Sequence, residues 1–167
     1  MTKTYRVLIA DYANYDSLAE IPGILSRGGC IVDVYCGKRS WLKRNKYWNK
    51  WIACSENEEE YFNTLKAIAE TNAYDWIILS DDPALRIVND RVIDETLFYK
   101  LLPITKIENR ELLGSKAGFS NLCAKYNLKT PGYLVYDSTL SEEDICKKLR
   151  FPMLLKTDRS EGGTGIF

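Results

Sequence analysis

The sequence predicts an α/β chain in two parts, and three features indicate this. Short apolar runs alternate with amphipathic helical patterns over residues 1–103, a charged and irregular stretch follows at 104–114, and a second alternation fills 115–167. Such alternation is typical of a parallel sheet covered by helices. We therefore predict a Rossmann-like domain over 1–103, a linker over 104–114 and a smaller α+β unit over 115–167.

The first part contains three apolar runs short enough to be buried strands, at residues 5–10, 30–36 and 76–80. Between the first two, apolar residues have helical spacing, and Pro22 must kink or restart that helix before Gly28 and Gly29 end it. A capping box at residues 55–58 predicts the start of the next helix. No Gly-x-Gly-x-x-Gly pattern follows the first strand, which argues against a dinucleotide-dependent dehydrogenase.

Two adjacent carboxylates, Asp81 and Asp82, follow the third predicted strand. Paired carboxylates at a strand end can hold a metal or act as acid and base. The alternative is that Asp82, which stands before Pro83, caps the next helix, and we expect this simpler role. Further helical patterns cover residues 85–88 and 93–102.

Residues 38–52 carry six basic side chains interleaved with three tryptophans and a tyrosine. Basic and aromatic residues together are typical of surfaces that bind single-stranded nucleic acid. The alternative is that the aromatic rings pack on the sheet while the lysines face water. Because four glutamates follow directly within residues 56–60, we expect packing and no nucleic-acid partner.

The composition is that of a soluble globular protein, and it excludes several kinds of site. The 23 basic side chains balance 23 acidic ones, so no net charge draws the chain to nucleic acid or to a membrane. The absence of histidine removes imidazole catalysis and most transition-metal sites. Five cysteines without Cys-x-x-Cys spacing, and no signal peptide or membrane-spanning run, lead us to expect a reduced, cytoplasmic protein.

The second part begins with a helical pattern that Ser115 caps and that ends near Asn127. An apolar run at 133–136 predicts a strand, and residues 141–149 predict a second helix. The apolar run 151–155 then predicts a strand that delivers Lys156 to its end, just before a glycine-rich stretch.

That stretch, residues 160–165, reads Ser-Glu-Gly-Gly-Thr-Gly. Glycines let backbone N–H groups approach an anion closely, and a lysine at the strand end supplies positive charge for the same oxygens. The P-loop pattern is absent, because no Lys-Ser or Lys-Thr follows, so we predict the tip of a β-hairpin that grips phosphate. The alternative is an ordinary glycine-rich hairpin turn.

The order of these elements resembles the start of an ATP-grasp domain. Lys116 and Lys156 stand where the two nucleotide-contacting lysines of that family stand. The chain departs from the family pattern at Ser115 in place of Asp, Asn127 in place of Gly and Thr157 in place of Pro, and its loop has fewer glycines than the richest members. Each replacement suits its place, because Ser caps helices, Asn tolerates the left-handed conformation and Thr continues a strand.

The resemblance implies a site for ATP and a reaction. The ATP-binding residues that it implies are Lys116, Lys156, Ser160, Glu161, Gly162, Gly163, Thr164 and Gly165. In the family, which includes carbamoyl-phosphate synthase-like enzymes, ATP phosphorylates a small carboxylate, and an amine or similar nucleophile attacks the acyl phosphate. The first domain lies on the acceptor side of the cleft.

The acidic and asparagine residues that hold Mg²⁺ in the family have no counterpart in residues 156–167, where the sequence ends inside the predicted hairpin. We therefore expect an N-terminal fragment of an ATP-dependent carboxylate–amine ligase whose magnesium ligands lie outside this chain and which does not turn over ATP alone. The sequence leaves open whether the chain is such a fragment or a natural short protein. The alternative function is a non-catalytic Rossmann-like module for nucleotide binding or interaction.

Overall fold

The computed structural model describes residues 3–104, 106–160 and 165–167. The chain divides into two compact units, residues 1–107 and 108–167, and the division falls inside the stretch 104–114. The domain limits given above stay a prediction. None of the described helices has the length and the apolar character needed to cross a membrane.

The first unit is built on a four-stranded sheet in which every neighbouring pair is parallel. The strands are β1 (Arg6–Ala10), β2 (Ile31–Cys36), β3 (Lys50–Ala53) and β4 (Trp76–Leu79), and they lie in the order β3-β2-β1-β4. This confirms the predicted α/β class and three predicted strands. Because β1 and β4 are neighbours, the chain changes direction across the sheet between their carboxyl ends, which is where open parallel sheets bind ligands.

Strand β3 was not predicted, and it begins inside the basic and aromatic stretch 38–52. It is an edge strand whose residues are half-buried or exposed, so its pattern in the sequence is weak. The ring of Trp51 donates a hydrogen bond to the Cys36 carbonyl at 3.0 Å, and the Lys43 ammonium lies 3.3 Å from the Trp51 ring centroid. Arg44 likewise lies over Trp41. Trp48 and Trp51 also pack against the buried core, which supports the packing prediction for these two rings, whereas Trp41 and Tyr47 are exposed.

Helices cover both faces of the sheet. They are a 3-10 helix (Asp16–Glu20), α1 (Ile21–Arg27), a 3-10 turn (Trp41–Lys43), α2 (Glu58–Glu70), α3 (Asp82–Arg91) and α4 (Glu95–Leu101). On one face Val32, Val34 and Cys36 form a buried cluster with residues of the 3-10 helix and α1. On the other face Tyr35 stacks on Tyr61 of α2, with 4.9 Å between ring centroids. Alternate residues of β2 therefore pack into the core on opposite faces of the sheet.

Of the helix starts in this unit, one agrees with the prediction and two differ from it. Pro22 restarts the helix, because a separate 3-10 helix ends at Glu20 before α1 begins. Helix α2 is capped by Asn57, whose side chain accepts from two backbone N–H groups, so the capping box predicted at residues 55–58 is wrong. The cap of α3 is Asp81, and Asp82 is already the first helical residue, which corrects the predicted cap by one position.

One buried carboxylate links β2 by hydrogen bonds to residues in or near the other three strands. Asp33, in the middle of β2, is fully buried and accepts hydrogen bonds from Arg6 (2.8 Å), Asn49 (2.8 Å) and the Tyr74 hydroxyl (2.9 Å). Burial alone would raise the pKa of the Asp33 carboxyl, but these hydrogen bonds lower it below its usual value. Asp33 is therefore held as a carboxylate.

In the described part of the second unit the regular elements are helices, and most residues lie in turns and irregular segments. It contains a 3-10 helix (Ile107–Leu112), α5 (Lys116–Lys125) and α6 (Glu142–Lys148). Ser115 caps α5, and Asn127 has a φ of 53°, so both of those predictions are confirmed. Helix α6 begins with a capping box between Ser141 and Asp144.

The strands predicted at 133–136 and 151–155 are wrong. Neither run is a strand in the described part of the chain, where the second unit has one isolated antiparallel bridge, between Lys156 and Ile166. Tyr133, Val135 and Phe151 are exposed. An apolar run becomes a strand only when a neighbouring strand pairs with its backbone, and the sequence pattern cannot supply that neighbour.

Candidate functional site

The loop after Lys156 is closed at its base by antiparallel backbone pairing. Leu155 and Phe167 exchange hydrogen bonds of 2.9 and 3.0 Å, and the Thr157 N–H donates to the Gly165 carbonyl at 2.8 Å. This pairing is the one expected at the base of the predicted hairpin. Of the predicted loop residues, Glu161, Gly162, Gly163 and Thr164 lie outside the described residues.

Gly165 closes the hairpin in a conformation that other residues avoid. Its φ is +70°, and a Cβ atom at this position would lie 2.3 Å from the Thr157 hydroxyl oxygen. Both the left-handed backbone and the close approach require glycine. The role that the structure supports for Gly165 is thus to let the two arms of the hairpin meet.

Lys116 is the first residue of α5, and its ammonium group turns toward the base of the loop. It donates to the Asp158 carbonyl at 2.9 Å, to the Ser160 hydroxyl at 3.2 Å and to the Ser160 carbonyl. The structure therefore brings together Lys116 and Ser160, two residues that the resemblance placed in one site. It does so by direct hydrogen bonds.

Asp158 is a member of this cluster that the sequence analysis missed. Its carboxylate accepts from the Ala117 N–H at 2.8 Å and from the Ser115 hydroxyl at 3.0 and 3.1 Å. Burial alone would raise the pKa of Asp158, but the hydrogen bonds from Ala117 and Ser115 lower it below its usual value. No pattern in the sequence pairs residue 158 with a helix that starts 42 positions earlier, at Lys116.

Lys156 differs from Lys116 in having no partner among the described residues. Its side chain is exposed, while its backbone forms the bridge to Ile166. An ammonium group held at a hairpin base, with no carboxylate beside it in the described chain, is available to an anionic ligand. The two predicted lysines thus stand in different states, one bonded to the loop and one free.

The carboxyl edge of the sheet in the first unit carries two buried carboxylates. Asp81 accepts from the N–H groups of Tyr12 (2.6 Å), Ala13 (3.2 Å) and Ala84 (2.7 Å), so it joins the loop after β1 to the start of α3. This supports a capping role for the acidic pair, carried by Asp81. The predicted chemical role for Asp81 and Asp82 gains no support from this geometry.

Asp11, directly after β1, is the second of these carboxylates, and the sequence analysis did not single it out. It is 1% exposed and accepts a hydrogen bond of 2.5 Å from the Ser40 hydroxyl. Burial, together with the nearby charge of Asp81, raises its pKa from 3.8 to about 6, although the Ser40 hydrogen bond acts in the opposite direction. Its position directly after a buried strand was the feature of the sequence that could have identified it as a candidate site residue.

The described residues contain no cluster of metal ligands large enough to hold a metal ion by itself. No group of three or more histidine, cysteine, aspartate or glutamate side chains within residues 3–104, 106–160 and 165–167 lies close enough to share a metal ion. Ammonium groups such as those of Lys116 and Lys156 attract anionic oxygens, whereas a divalent cation needs several oxygen ligands.

Neither a protein-family model nor a curated protein sequence matches the chain. Several solved structures match the chain. The L-amino acid ligase from Bacillus licheniformis matches 95% of this chain with a TM-score of 0.62 and 16% identity. N5-carboxyaminoimidazole synthetase from Staphylococcus aureus, complexed with ADP, matches 99% of it with a TM-score of 0.64 and 16% identity.

A third match is the biotin carboxylase domain of 2-oxoglutarate carboxylase from Hydrogenobacter thermophilus, in a complex with ADP, which matches 99% of this chain with a TM-score of 0.60 and 16% identity. The three matches cover 39%, 41% and 38% of the other chains, so this chain spans about two fifths of their length. At such low identity they show a shared fold. The resemblance stated from the sequence is thereby confirmed at the level of fold: the chain folds like the N-terminal portion of an ATP-grasp enzyme.

Proposed function

We propose that this chain is the N-terminal part of an ATP-dependent carboxylate–amine ligase and that its second unit binds the phosphates of ATP. The observation that carries the proposal is the exposed ammonium of Lys156, which has no partner among the described residues, at the base of a hairpin whose residues Asp158 and Ser160 accept hydrogen bonds from Lys116. The shared fold supports it, and two of the matched enzymes hold ADP.

Each residue of the site has a distinct part in this proposal. The Lys156 ammonium neutralises phosphate oxygens as a free point charge. Lys116 and Ser160 hold the first residues of the loop against α5, which fixes where the hairpin stands over a bound nucleotide. Gly165 lets the hairpin close, and we assign Glu161, Gly162, Gly163 and Thr164 to the loop that covers the phosphates. ATP supplies the phosphoryl group for a small carboxylate substrate.

The described residues contain no cluster of three or more metal ligands, and we derive no step through Mg²⁺. What this chain contributes is binding and orientation. A nucleotide that is held by Lys156 and by a loop that Lys116 anchors has its phosphates fixed before an acceptor arrives, and such positioning lowers the barrier to phosphoryl transfer.

Calorimetric titration with ATP tests the proposal. We expect K156A to weaken binding by about 1.5–3 kcal/mol, the range for a hydrogen bond to a charged group, and K116A to weaken it somewhat less. The matched control is K129A, which removes an exposed lysine of the same unit. Equal ATP affinity in K156A, K116A and K129A would show that the phosphates do not bind here.

A second candidate is a non-catalytic nucleotide-binding module in the first unit. It is favoured by the position of Asp11 and Asp81 at the carboxyl ends of β1 and β4, where the chain changes direction. Against it, the Asp81 oxygens are already bonded to three backbone N–H groups, and two buried carboxylates repel phosphate. The lysine site in the second unit is therefore the better-supported place for a nucleotide.

A further inference from the structure

A basic surface of the first unit has no part in the proposed function. The neighbouring 3-10 helix carries two exposed acids, Asp16 and Glu20, and neither pairs with a cation of this surface in the described chain. The cations themselves form no ion pair with any other described residue. We define the basic surface by these cations, which are Arg27, Lys38, Arg39, Lys43, Arg44, Lys46 and Lys50.

The glutamates at 56–60 do not neutralise the basic surface, although they follow it directly in the sequence. The segment 38–49 packs on the face of the sheet that α1 covers, where Leu42 is buried. Helix α2, which begins among these glutamates, covers the opposite face. There Glu58 forms an ion pair of 2.7 Å with Arg91. The offset of charge that the sequence suggested is therefore broken by the sheet, which separates the two groups.

Two arginines of the basic surface lie against exposed aromatic rings. The guanidinium carbon of Arg44 is 5.0 Å from the Trp41 ring centroid, and that of Arg27 is 5.8 Å from the Tyr47 ring centroid. Trp41 is 39% exposed and Tyr47 is 40% exposed. Neither guanidinium has a hydrogen-bond acceptor among the residues that the structure describes. A guanidinium that stacks on a ring keeps its fork of N–H donors available to a carboxylate.

The rings themselves are poorly placed to stack on nucleic-acid bases. A guanidinium covers one face of each ring, and Tyr47 also lies against Gly23, where an added Cβ atom would stand 3.1 Å from the Tyr47 ring. Single-stranded nucleic acid binds through open ring faces as well as through phosphate contacts. Carboxylates need only the N–H forks and the ammonium groups. The surface therefore favours an acidic peptide over a nucleic acid.

We propose that the basic surface is a docking site for an acidic peptide segment of a protein partner. The stacked Arg44 and Arg27 bind aspartate or glutamate carboxylates through two parallel hydrogen bonds each, and the lysines attract the segment as a whole. Because each arginine is already held against a ring, it loses less conformational freedom on binding than an unstacked arginine does. Trp, Tyr and Arg are also the residue types that contribute most at protein interfaces. The proposal does not rest on nucleotide binding in the second unit.

Fluorescence anisotropy of a labelled peptide of alternating glutamate and serine tests the proposal on the 167-residue chain. A peptide of about ten residues reaches about 33 Å when it is extended. We expect saturable binding that weakens as the salt concentration rises. R44A and R27A should each weaken binding about three- to tenfold. The matched control is R86A, which removes an arginine of α3, a helix that packs against α2 on the other face of the sheet, and it should bind like the wild type.

A charge-conserving variant separates the stacked fork from simple attraction. R44K keeps the positive charge but loses the planar guanidinium, so we expect it to bind the peptide about twofold or more weakly than the wild type. If R44K bound the peptide as tightly as the wild type, the stacked Arg44 would not be the contact and the inference would be wrong.

A measurement on the wild type does not depend on how the variants fold. The indole N–H resonance of Trp41 should shift on saturation with the peptide, because Arg44 lies over that ring. The indole resonance of Trp76 should not shift, since Trp76 begins β4 at the far edge of the sheet and is 59% exposed. An unchanged Trp41 resonance at saturation would overturn the inference.

Other outcomes would assign the surface or the peptide elsewhere, and each would overturn the proposal. Tighter binding of a single-stranded oligonucleotide that carries the same number of charges would indicate a nucleic-acid partner. Self-association that R44A abolishes would indicate a second copy of this chain, bound through its glutamates at 56–60. Peptide binding that K156A weakens and R44A leaves unchanged would place the peptide in the second unit, whereas ATP binding by that unit is decided separately by the calorimetric titration.

Discussion

The buried Asp11 carboxylate should make the first unit less stable at neutral pH than at mildly acidic pH. Its side chain is 1% exposed, its hydrogen bond comes from the Ser40 hydroxyl, and it has no ion pair with a lysine or arginine among the described residues. Burial penalises the charged form and raises the pKa from 3.8 to about 6. A carboxyl with a raised pKa stabilises the fold fully below pH 3.8, and this contribution is lost as the pH rises through about 6.

The size of the effect follows from that rise in pKa. One pKa unit corresponds to about 1.4 kcal/mol, so charging Asp11 in the folded state costs about 3 kcal/mol. In D11N the amide oxygen still accepts from Ser40, but the new buried NH₂ group costs about 1–2 kcal/mol if it finds no acceptor. We therefore expect D11N to be more stable than the wild type by about 1–2 kcal/mol at pH 8.

Urea unfolding between pH 4 and pH 8 measures this. The wild type should lose unfolding free energy across the range from 3.8 to about 6, and D11N should lose less. D16N makes the same chemical change at an exposed position and should follow the wild type. If the wild type showed no such loss and D11N were the less stable protein at pH 8, the assignment of a buried, destabilising charge to Asp11 would be refuted.

Two further predictions concern single residues of the two units. D33A should lower the unfolding free energy by about 2–4 kcal/mol at pH 7, because it removes a buried carboxylate that accepts hydrogen bonds from three side chains. Since the pKa of Asp33 is lowered, the difference in unfolding free energy between D33A and the wild type should shrink as the pH falls below 3.8. Urea unfolding measures this, and a difference that does not change with pH would contradict it. G165A should speed hydrogen exchange of the Thr157 amide, which donates to the Gly165 carbonyl. The control G132A should not, because a Cβ atom at residue 132 would lie 3.6 Å from its nearest neighbour, an ordinary contact distance. Equal exchange of the Thr157 amide in both variants would show that the hairpin does not need glycine at position 165.

The sequence predicted those parts of the fold that depend on local chemistry. Buried parallel strands are continuous apolar runs, so β1, β2 and β4 were recognisable. Ser115 and Asn127 were recognisable because capping and the left-handed conformation favour few residue types. The helix starts at Asn57 and Asp81 were each missed by a small offset, because neighbouring residues such as Ser55 and Asp82 have similar capping chemistry.

The rest depends on which segments meet in space. Strand β3 is recognisable as a strand only through its pairing with β2, and the run at 133–136 shows that an apolar pattern is not enough to form a strand. The bonds from Asp158 to the start of α5 join positions far apart in the chain, so neither residue type nor spacing predicts them. The two lysines were identified through a family resemblance, and their different hydrogen-bonding states only through the structure.

The central claim is that ATP phosphates bind in the second unit, at the start of α5 and the base of the hairpin. Two-dimensional amide NMR of the 167-residue chain during titration with ATP tests it most directly. We predict saturable shifts at residues 115–118 and 155–160, and none around Asp11 and Asp81. Shifts confined to the carboxyl edge of the sheet, or no saturable shift anywhere, would contradict the claim.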